Sequence, residues 1–404
     1  MTFRRSIRRH ERLIAIASGL AAFWLSAAAS NAAEPPAQTA PRWSLAIHGG
    51  AGTIERDRMT PAQDAAYREA LEKALEAGSA VLASGGSALD AVQAAVQLME
   101  DDPLFNAGRG AVFTAAGRNE LDAAIMDGTN RAAGAVAGLT TTRHPIAAAR
   151  AVMEKSPHVF LIGQGAETFA AEQGLEQVPS AFFFTERRWQ GLVAGLRQRG
   201  LPIPDRPEGA PSPPAVPMAA NDPSAPPLNE KKFGTVGAVA LDSQGRLAAA
   251  TSTGGMSAKQ WGRVGDVPVI GAGTYASNAD GCAVSATGDG EYFIRATVAR
   301  DICARMAVLA ETRPARLRQA AEAAVARSGD PDAIGVAHEL LPQTVAARAE
   351  IEDAENLGGT GGVIVMALDG YAAFEMSTSG MYRGRASSAD PTPRVAIYAD
   401  EPGL

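Results

Sequence analysis

The sequence predicts an α/β (α+β) protein in which β-sheets lie between layers of helix. Three observations lead there. Short strand-like runs bounded by glycine fill the stretch after residue 235. Helical patterns stand in blocks on either side of such runs. The 404 residues, 46% apolar and 20% charged, suffice for one large domain or two ordinary ones with a real core.

The elements follow in order. Arg42–Ile47 reads as a strand that runs into a glycine turn, His48-Gly49-Gly50-Ala51-Gly52. Thr60-Pro61-Ala62-Gln63 is a helix start, with a cap, a first-turn proline and a glutamine three residues on. That Ala/Leu-rich helix stops near Gly85-Gly86. Ser87 caps the next, which carries Leu89, Val92, Val96 and Met99 on one face. Residues 201–230 hold ten of the chain's 25 prolines and few large apolar side chains, the composition of a disordered linker. From Thr235 the period changes to two. Val236–Leu241 alternates, Asp242-Ser243-Gln244-Gly245 turns, and Leu247–Ser252 returns. Val267–Ala272 and Cys282–Thr287 read as further strands, Glu291–Val308 and Arg313–Val325 as helices. Gly362–Leu368 and Ala372–Met376 form a late hairpin around Asp369-Gly370.

Ahead of all this stands a targeting segment, residues 1–32. Five arginines among the first twelve residues precede an apolar run, Leu13–Ala29, and small residues at Ser30-Asn31-Ala32. The run is short for a membrane span, so the reading is a cleaved signal peptide and an exported, periplasmic or secreted, protein. An uncleaved anchor is the alternative. A twin-arginine route fits less well, because the residues after the Arg pairs do not complete that motif. The net charge is −7 and no basic run lies beyond the first dozen residues, which argues against a nucleic-acid partner. Two cysteines, Cys282 and Cys303, are too few for a disulfide framework, and a zinc-type Cys/His spacing is absent.

The chemistry must come from elsewhere than the common nucleophile motifs. The sequence has no Gly-x-Ser-x-Gly elbow, no P-loop and no Gly-x-Gly-x-x-Gly. Five histidines, one of them in the signal, supply a Ser-His-Asp triad poorly. A threonine nucleophile can do without one. If the chain were cut between Gly234 and Thr235, the new α-amine would lie beside its own hydroxyl, and its ordinary pKa of about 7.7–8.0 suits a general base. Gly234 tolerates the backbone strain of such a cut. From these few residues alone, a plain strand start explains the segment better.

A longer set of segments is informative together: Ile47–Gly52, Pro103–Gly108, Leu121–Gly128, Gly134–Gly138, Gly234–Asp242, Ala248–Met256, Gly262–Asp266, Gly271–Ala276 and Thr287–Glu291. In sequence and in order they resemble the isoaspartyl peptidase/L-asparaginase family of N-terminal-nucleophile hydrolases. The resemblance implies a four-layer αββα sandwich. It implies self-cleavage into an α subunit, residues 33–234 with a Pro-rich linker at 200–231, and a β subunit, 235–404. Two such heterodimers usually pair. It implies hydrolysis of β-aspartyl dipeptides or L-asparagine to L-aspartate without an organic cofactor. Thr235 matches the nucleophile and Thr253 the threonine beside it. Thr287 and Gly288 match the oxyanion hole. Arg263 matches the grip on the substrate α-carboxylate, Asp266 the grip on its α-ammonium, and Gly290 a residue of the same pocket. Read without the family, Thr253 is a turn residue and Arg263 with Asp266 an ordinary loop ion pair.

The resemblance also implies a structural sodium ion on the backbone carbonyls of Met99, Glu100, Asp102, Phe105, Ala107 and Arg109. Asp289 departs from the Thr or His expected there: its carboxylate either repels an acidic substrate or turns away. Residues 328–356 look like an insertion. A glycosylasparaginase is the near alternative, and a secreted binding protein on a degenerate hydrolase scaffold the distant one.

Overall fold

A computed structural model describes residues 43–213, 234–312, 341–401 and 404. The signal segment, the Glu34–Pro41 spacer, linker residues 214–233 and the expected helix Arg313–Val325 lie outside the described residues.

In chain order the elements are β1 (Ser44–Gly52), α1 (Pro61–Ala83), α2 (Ala88–Asp101), β2 (Leu121–Asp127), β3 (Ala133–Leu139), α3 (Pro145–Lys155), β4 (Phe160–Ile162), α4 (Gly163–Glu172) and α5 (Glu186–Gln198). After residue 234 come β5 (Val236–Leu241), β6 (Leu247–Thr253), β7 (Thr274–Ser277), β8 (Cys282–Gly288), α6 (Gly290–Ala296) and α7 (Val298–Thr312). The chain closes with α8 (Pro342–Asn356), β9 (Gly361–Ala367), β10 (Ala372–Met376), β11 (Gly380–Ser387) and β12 (Arg394–Tyr398).

The strands form two sheets, ordered β12-β11-β1-β5-β6-β2-β3-β4 and β10-β9-β8-β7. All neighbours are antiparallel except β3 and β4. Alternation decides what each face meets. Leu45 and Ile47 of β1 point toward Leu71 and Leu75 of α1 and Val92 and Val96 of α2. Ala46, Val239 and Ala249 point the other way, onto Val284 and Val365 of the smaller sheet. Ile302 and Met306 of α7 and Ala347 and Ile351 of α8 cover that sheet from outside. The result is the expected order of helix, sheet, sheet, helix. β5 and β6, in the middle of the larger sheet, are buried along their whole length and carry several alanines.

Local signals did what their chemistry requires. Thr60 accepts from the Gln63 N–H while Gln63 Oε1 accepts from the Thr60 N–H at 2.9 Å, a complete capping box. Ser87 caps α2 by accepting from the Asp90 N–H at 3.1 Å.

Four expectations need correction. The glycine run after Ile47 is not a turn: β1 continues to Gly52 through a bulge between His48 and Gly50, where Gly50 has φ 108°. Val267–Ala272 is a series of turns, and the strand begins at Thr274. The helix expected over Glu291–Val308 is two, broken at Thr297 with φ 52°. Of the supposed insertion at 328–356, Pro342–Asn356 is helix α8 and part of the core. Its alanines and scattered polar residues hid an apolar stripe of Ala346, Ala347, Ile351 and Ala354.

Candidate active site

Gly234 and Thr235 lie at the mouth of β5, in the middle of the larger sheet. Thr235 is buried, and its Oγ1 donates to Oγ1 of Thr253, at the end of the neighbouring β6, at 3.0 Å. Thr253 Oγ1 also accepts from the Gly255 N–H at 3.0 Å. The β5–β6 hairpin thus brings together two hydroxyls eighteen residues apart.

Asn106 organises the surroundings. Its N–H donates to the Gly234 carbonyl at 2.9 Å and its carbonyl accepts from the Gly254 N–H at 2.9 Å. Its Nδ2 donates to the Gly255 carbonyl at 2.8 Å, and its Oδ1 accepts from the Val112 N–H at 2.9 Å. Gly234 has room for no side chain here, because a Cβ would lie 2.6 Å from that of Asn106.

A small cavity opens beside these groups. Asn106, Thr235, Thr253, Arg263, Asp266 and Gly288 are among its lining residues. Gly290 stands behind the rim: a Cβ there would come 2.8 Å from Asp266 Oδ1 and 2.9 Å from Arg263 Nη2. Thr287 Oγ1 and Asp266 Oδ2 are buried and have no hydrogen-bond partner among the described residues. Buried polar groups are normally paired, so the unpaired oxygen of Asp266, which lines the cavity, points to a ligand; Thr287 is not among the lining residues, although Gly288 is. Burial pushes the Asp266 carboxyl up to about 7, with Arg263 pulling back.

Arg263 is paired along one edge of its guanidinium. Its Nε and Nη2 donate to both oxygens of Glu291, each at 2.9 Å. Two hydrogens on Nη1 and one on Nη2 are left outside that pair, and Nη1 lies beside Gly255 and Gly265. Asp289 is turned away from the cavity: Oδ2 accepts from the N–H of Thr360 at 3.0 Å and from its hydroxyl at 3.1 Å. It ties the end of β8 to the start of β9 instead of repelling a substrate.

Three residues near Thr235 had no assigned role in the sequence reading. Asn106 sat in a family-like segment. Arg188, from α5, lines the cavity and donates from Nε to the Gly110 carbonyl at 2.7 Å, and burial lowers its guanidinium to about 9. An arginine beside Trp189 on an amphipathic helix carries no motif that would single it out. His48 stands behind Thr235, with Nδ1 3.1 Å from the Thr235 carbonyl oxygen.

The loop from Met99 to Arg109 is wound tightly. Side chains at 108 and 110 would overlap the Glu100 and Phe105 carbonyls, so glycine is required at both. The carboxylates point elsewhere. Glu100 Oε1 accepts from Ser252 Oγ at 2.6 Å and the Ile146 N–H at 3.0 Å, and Asp102 Oδ1 accepts from the Leu104 N–H at 2.9 Å. Among the described residues no cluster of three His, Cys, Asp or Glu side chains could hold a metal. Backbone carbonyls suit a hard alkali cation and not a transition metal; of the six expected here, those of Asp102 and Ala107 also accept the Phe105 and Gly110 N–H groups at 3.3 and 3.0 Å.

Comparison with known proteins finds relatives that align over most of the chain. The profile of the asparaginase family matches residues 41–340. The isoaspartyl peptidase of Escherichia coli (strain K12) is 46% identical over 358 residues, 88% of this chain and 96% of that protein. The isoaspartyl peptidase of Salmonella typhimurium is 45% identical over 357 residues, 88% of this chain and 98% of that one. The isoaspartyl peptidase/L-asparaginase of Rattus norvegicus is 43% identical over 256 residues, 63% of this chain and 68% of that one.

Proposed function

The chain belongs to the asparaginase family of hydrolases, and from that premise we propose that it is an isoaspartyl peptidase/L-asparaginase that cleaves itself before Thr235. The single observation that carries the reading is the Thr235–Thr253 hydroxyl pair, at 3.0 Å, on the wall of a cavity that also holds Arg263, Asp266 and Gly288.

Self-cleavage comes first. Thr235 Oγ1 attacks the Gly234 carbonyl carbon, and its proton passes by way of the Thr253 hydroxyl to the Thr235 nitrogen as the C–N bond breaks. The Asn106 N–H, already on that carbonyl oxygen at 2.9 Å, steadies the developing charge. Acyl transfer to the hydroxyl followed by hydrolysis leaves Thr235 with a free α-amine. In turnover the substrate α-ammonium meets Asp266 and its α-carboxylate meets Arg263, so its side-chain amide faces Thr235. The α-amine acts as base and an aspartyl ester forms on Oγ1. The Gly288 N–H and the Thr287 hydroxyl receive the oxyanion, which gives the unpaired Thr287 Oγ1 its partner. Ammonia or an amino acid leaves, and water releases L-aspartate.

A sodium ion on the carbonyls of Met99, Glu100, Asp102, Phe105, Ala107 and Arg109 would supply no chemistry; it would only tie down the loop that carries Asn106. Export through the N-terminal segment and pairing of two αβ heterodimers complete the reading. Among the described residues no helix is long and apolar enough to cross a membrane.

The test is direct. The purified protein should give two fragments on a denaturing gel, the smaller beginning at Thr235, and Thr235→Ala should give one. The matured protein is then offered β-aspartyl dipeptides, L-asparagine, L-glutamine and a glycosylated asparagine. A Thr235→Ala chain that still cuts at this bond, or turnover of none of the aspartyl substrates, sinks the proposal.

A further inference from the structure

His48 is fully buried between the two sheets, and the chemistry above leaves it unused. Its Nδ1 lies 3.1 Å from the Thr235 carbonyl oxygen and its Nε2 2.8 Å from Ser285 Oγ. Ser285 Oγ lies 2.7 Å from Thr251 Oγ1, and Thr274 Oγ1 lies 2.7 Å from the same Thr251 oxygen. All four side chains are 0% exposed. One contact each from β7, β6, β8 and β1 therefore joins into a line that ends on Thr235.

The protons in this line follow by elimination. A carbonyl oxygen only accepts, so Nδ1 of His48 carries hydrogen. Full burial against a carbonyl and a hydroxyl keeps the ring neutral, with its pKa lowered to about 3 by desolvation. A neutral imidazole has one N–H, so Nε2 accepts and Ser285 donates to it. The single hydroxyl hydrogen of Ser285 is then spent, and Thr251 donates to Ser285 at 2.7 Å, its other acceptor, the Gly273 carbonyl, being farther away at 3.4 Å. Thr251 in turn accepts from Thr274, whose other acceptor, the Val267 carbonyl, is farther away at 3.1 Å. Every donor points toward Thr235.

The sequence makes room for this line. Gly237 pairs with His48 across β1 and β5, and a Cβ there would overlap both Ser285 Oγ and His48 Nε2. A side chain at 237 would cut the bond between them.

We propose that His48 is the positioning residue of the nucleophile: its Nδ1–H holds the Thr235 peptide plane, and the hydroxyls of Ser285, Thr251 and Thr274 hold the ring in the tautomer that can do so. This rests on Thr235 being the nucleophile. Cleavage before Thr235 would remove its N-terminal tether, leaving the residue hanging from its own carbonyl carbon. The hydrogen bond from His48 fixes that plane, and the Thr253 hydroxyl restrains the remaining rotation. Misplacing a reacting group by an ångström costs on the order of a hundredfold in rate.

The test compares three substitutions in the full-length protein, with β-aspartyl dipeptide turnover as readout. His48→Phe keeps the ring and loses the donor. It should lower kcat by about tenfold or more with KM changed less than about twofold, because substrate contacts are untouched. His48→Asn places an amide N–H near the Nδ1 position and should recover most of that kcat. His48→Gln reaches the Ser285 side and should not. Nitrogen NMR of histidine-labelled enzyme should show His48 as the Nδ1–H tautomer, whatever the variants do. If every His48 variant fails to fold, Ser285→Ala decides: it should release the tautomer and lower kcat several-fold. Wild-type kcat in His48→Phe, no advantage of Asn over Gln, an Nε2–H ring in the wild type, or a Ser285→Ala enzyme with unchanged kcat and tautomer overturns the proposal. Thr235→Ala separates the two levels. If it still turns over substrate, the nucleophile reading fails; if it is inactive while His48→Phe is normal, only the role of His48 fails.

Discussion

Arg263 and Glu291 form a two-point ion pair, Nε to Oε1 and Nη2 to Oε2, each at 2.9 Å. The pair uses the Nε–Nη2 edge of the guanidinium and so fixes where its Nη1–Nη2 edge points. A substrate α-carboxylate would then meet a pre-aimed fork and not a mobile side chain. Glu291→Ala should therefore raise KM several-fold and leave kcat nearly unchanged, since the lost interaction is equal in ground and transition states. Arg263→Ala should lower kcat/KM by at least about tenfold, the value of one charged hydrogen bond. Arg263→Lys should recover part of that. Steady-state kinetics on matured enzyme decide it: an Arg263→Ala protein with wild-type efficiency refutes the clamp.

Asp266 gives this clamp a pH dependence. Burial raises its free-enzyme pKa to about 7. Below that it is neutral and holds an ammonium poorly; above it the charge is present. On the proposed mechanism the Thr235 α-amine must also lose its proton before it can act as base. Two deprotonations should make the acid limb of log kcat/KM steepen toward a slope of two. In Asp266→Asn the slope should fall to one, on a lower plateau. A slope of one in both proteins would remove Asp266 from the titration.

Gly234 tests the cleavage step apart from turnover. A methyl group there would press on Asn106, 2.6 Å away, and push the N–H donor off the Gly234 carbonyl. Gly234→Ala should slow the appearance of the two fragments by at least about tenfold, the scale of losing one oxyanion donor. Once matured, the enzyme should turn over normally, because residue 234 then belongs to the other fragment. A time course on denaturing gels, followed by kinetics of the processed fraction, checks both halves.

The layers and the helix starts were legible because they rest on local chemistry: the capping box at Thr60 and Gln63, the serine at 87, the alternation after Thr235. The turn at Val267–Ala272 was misread because β-branched residues fit a strand by composition, while the backbone instead folds so that the Gly273 N–H reaches the Asp266 carbonyl at 3.1 Å. Helix α8 was missed because alanine buries well yet leaves little apolar contrast. At the site, family-like segments pointed to Thr235, Thr253, Arg263 and Asp266, and all four line or border one cavity. Arg188 and Glu291 were illegible as site residues. Each matters through a partner far away in sequence, Gly110 for one and Arg263 for the other, and only the fold brings them together. His48 stood in a recognised segment, but the hydroxyls that orient it come from three other strands.

The last prediction concerns Cys282 and Cys303. Two cysteines are too few for a framework, yet these form one disulfide, between the start of β8 and α7, with both residues fully buried. It closes a loop across a sequence separation of 21 that contains Thr287, Gly288 and the whole of α6. Constraining a loop of that length in the unfolded chain stabilises the folded one by about 3 kcal/mol. Replacing both cysteines by alanine should lower Tm by a few degrees, the scale expected for a chain of this size. The bridge holds the oxyanion strand against its helix, so loss of kcat should accompany the melt only near the transition and not at room temperature. Such a bond persists where the surroundings are oxidising, in keeping with the proposed export. Protein isolated from the cell envelope and unfolded without reductant should show no free thiol, and two after reduction. Its α chain should begin near Ala33. Two free thiols in the untreated envelope protein would contradict the pairing, and an N-terminus at Met1 would contradict the export.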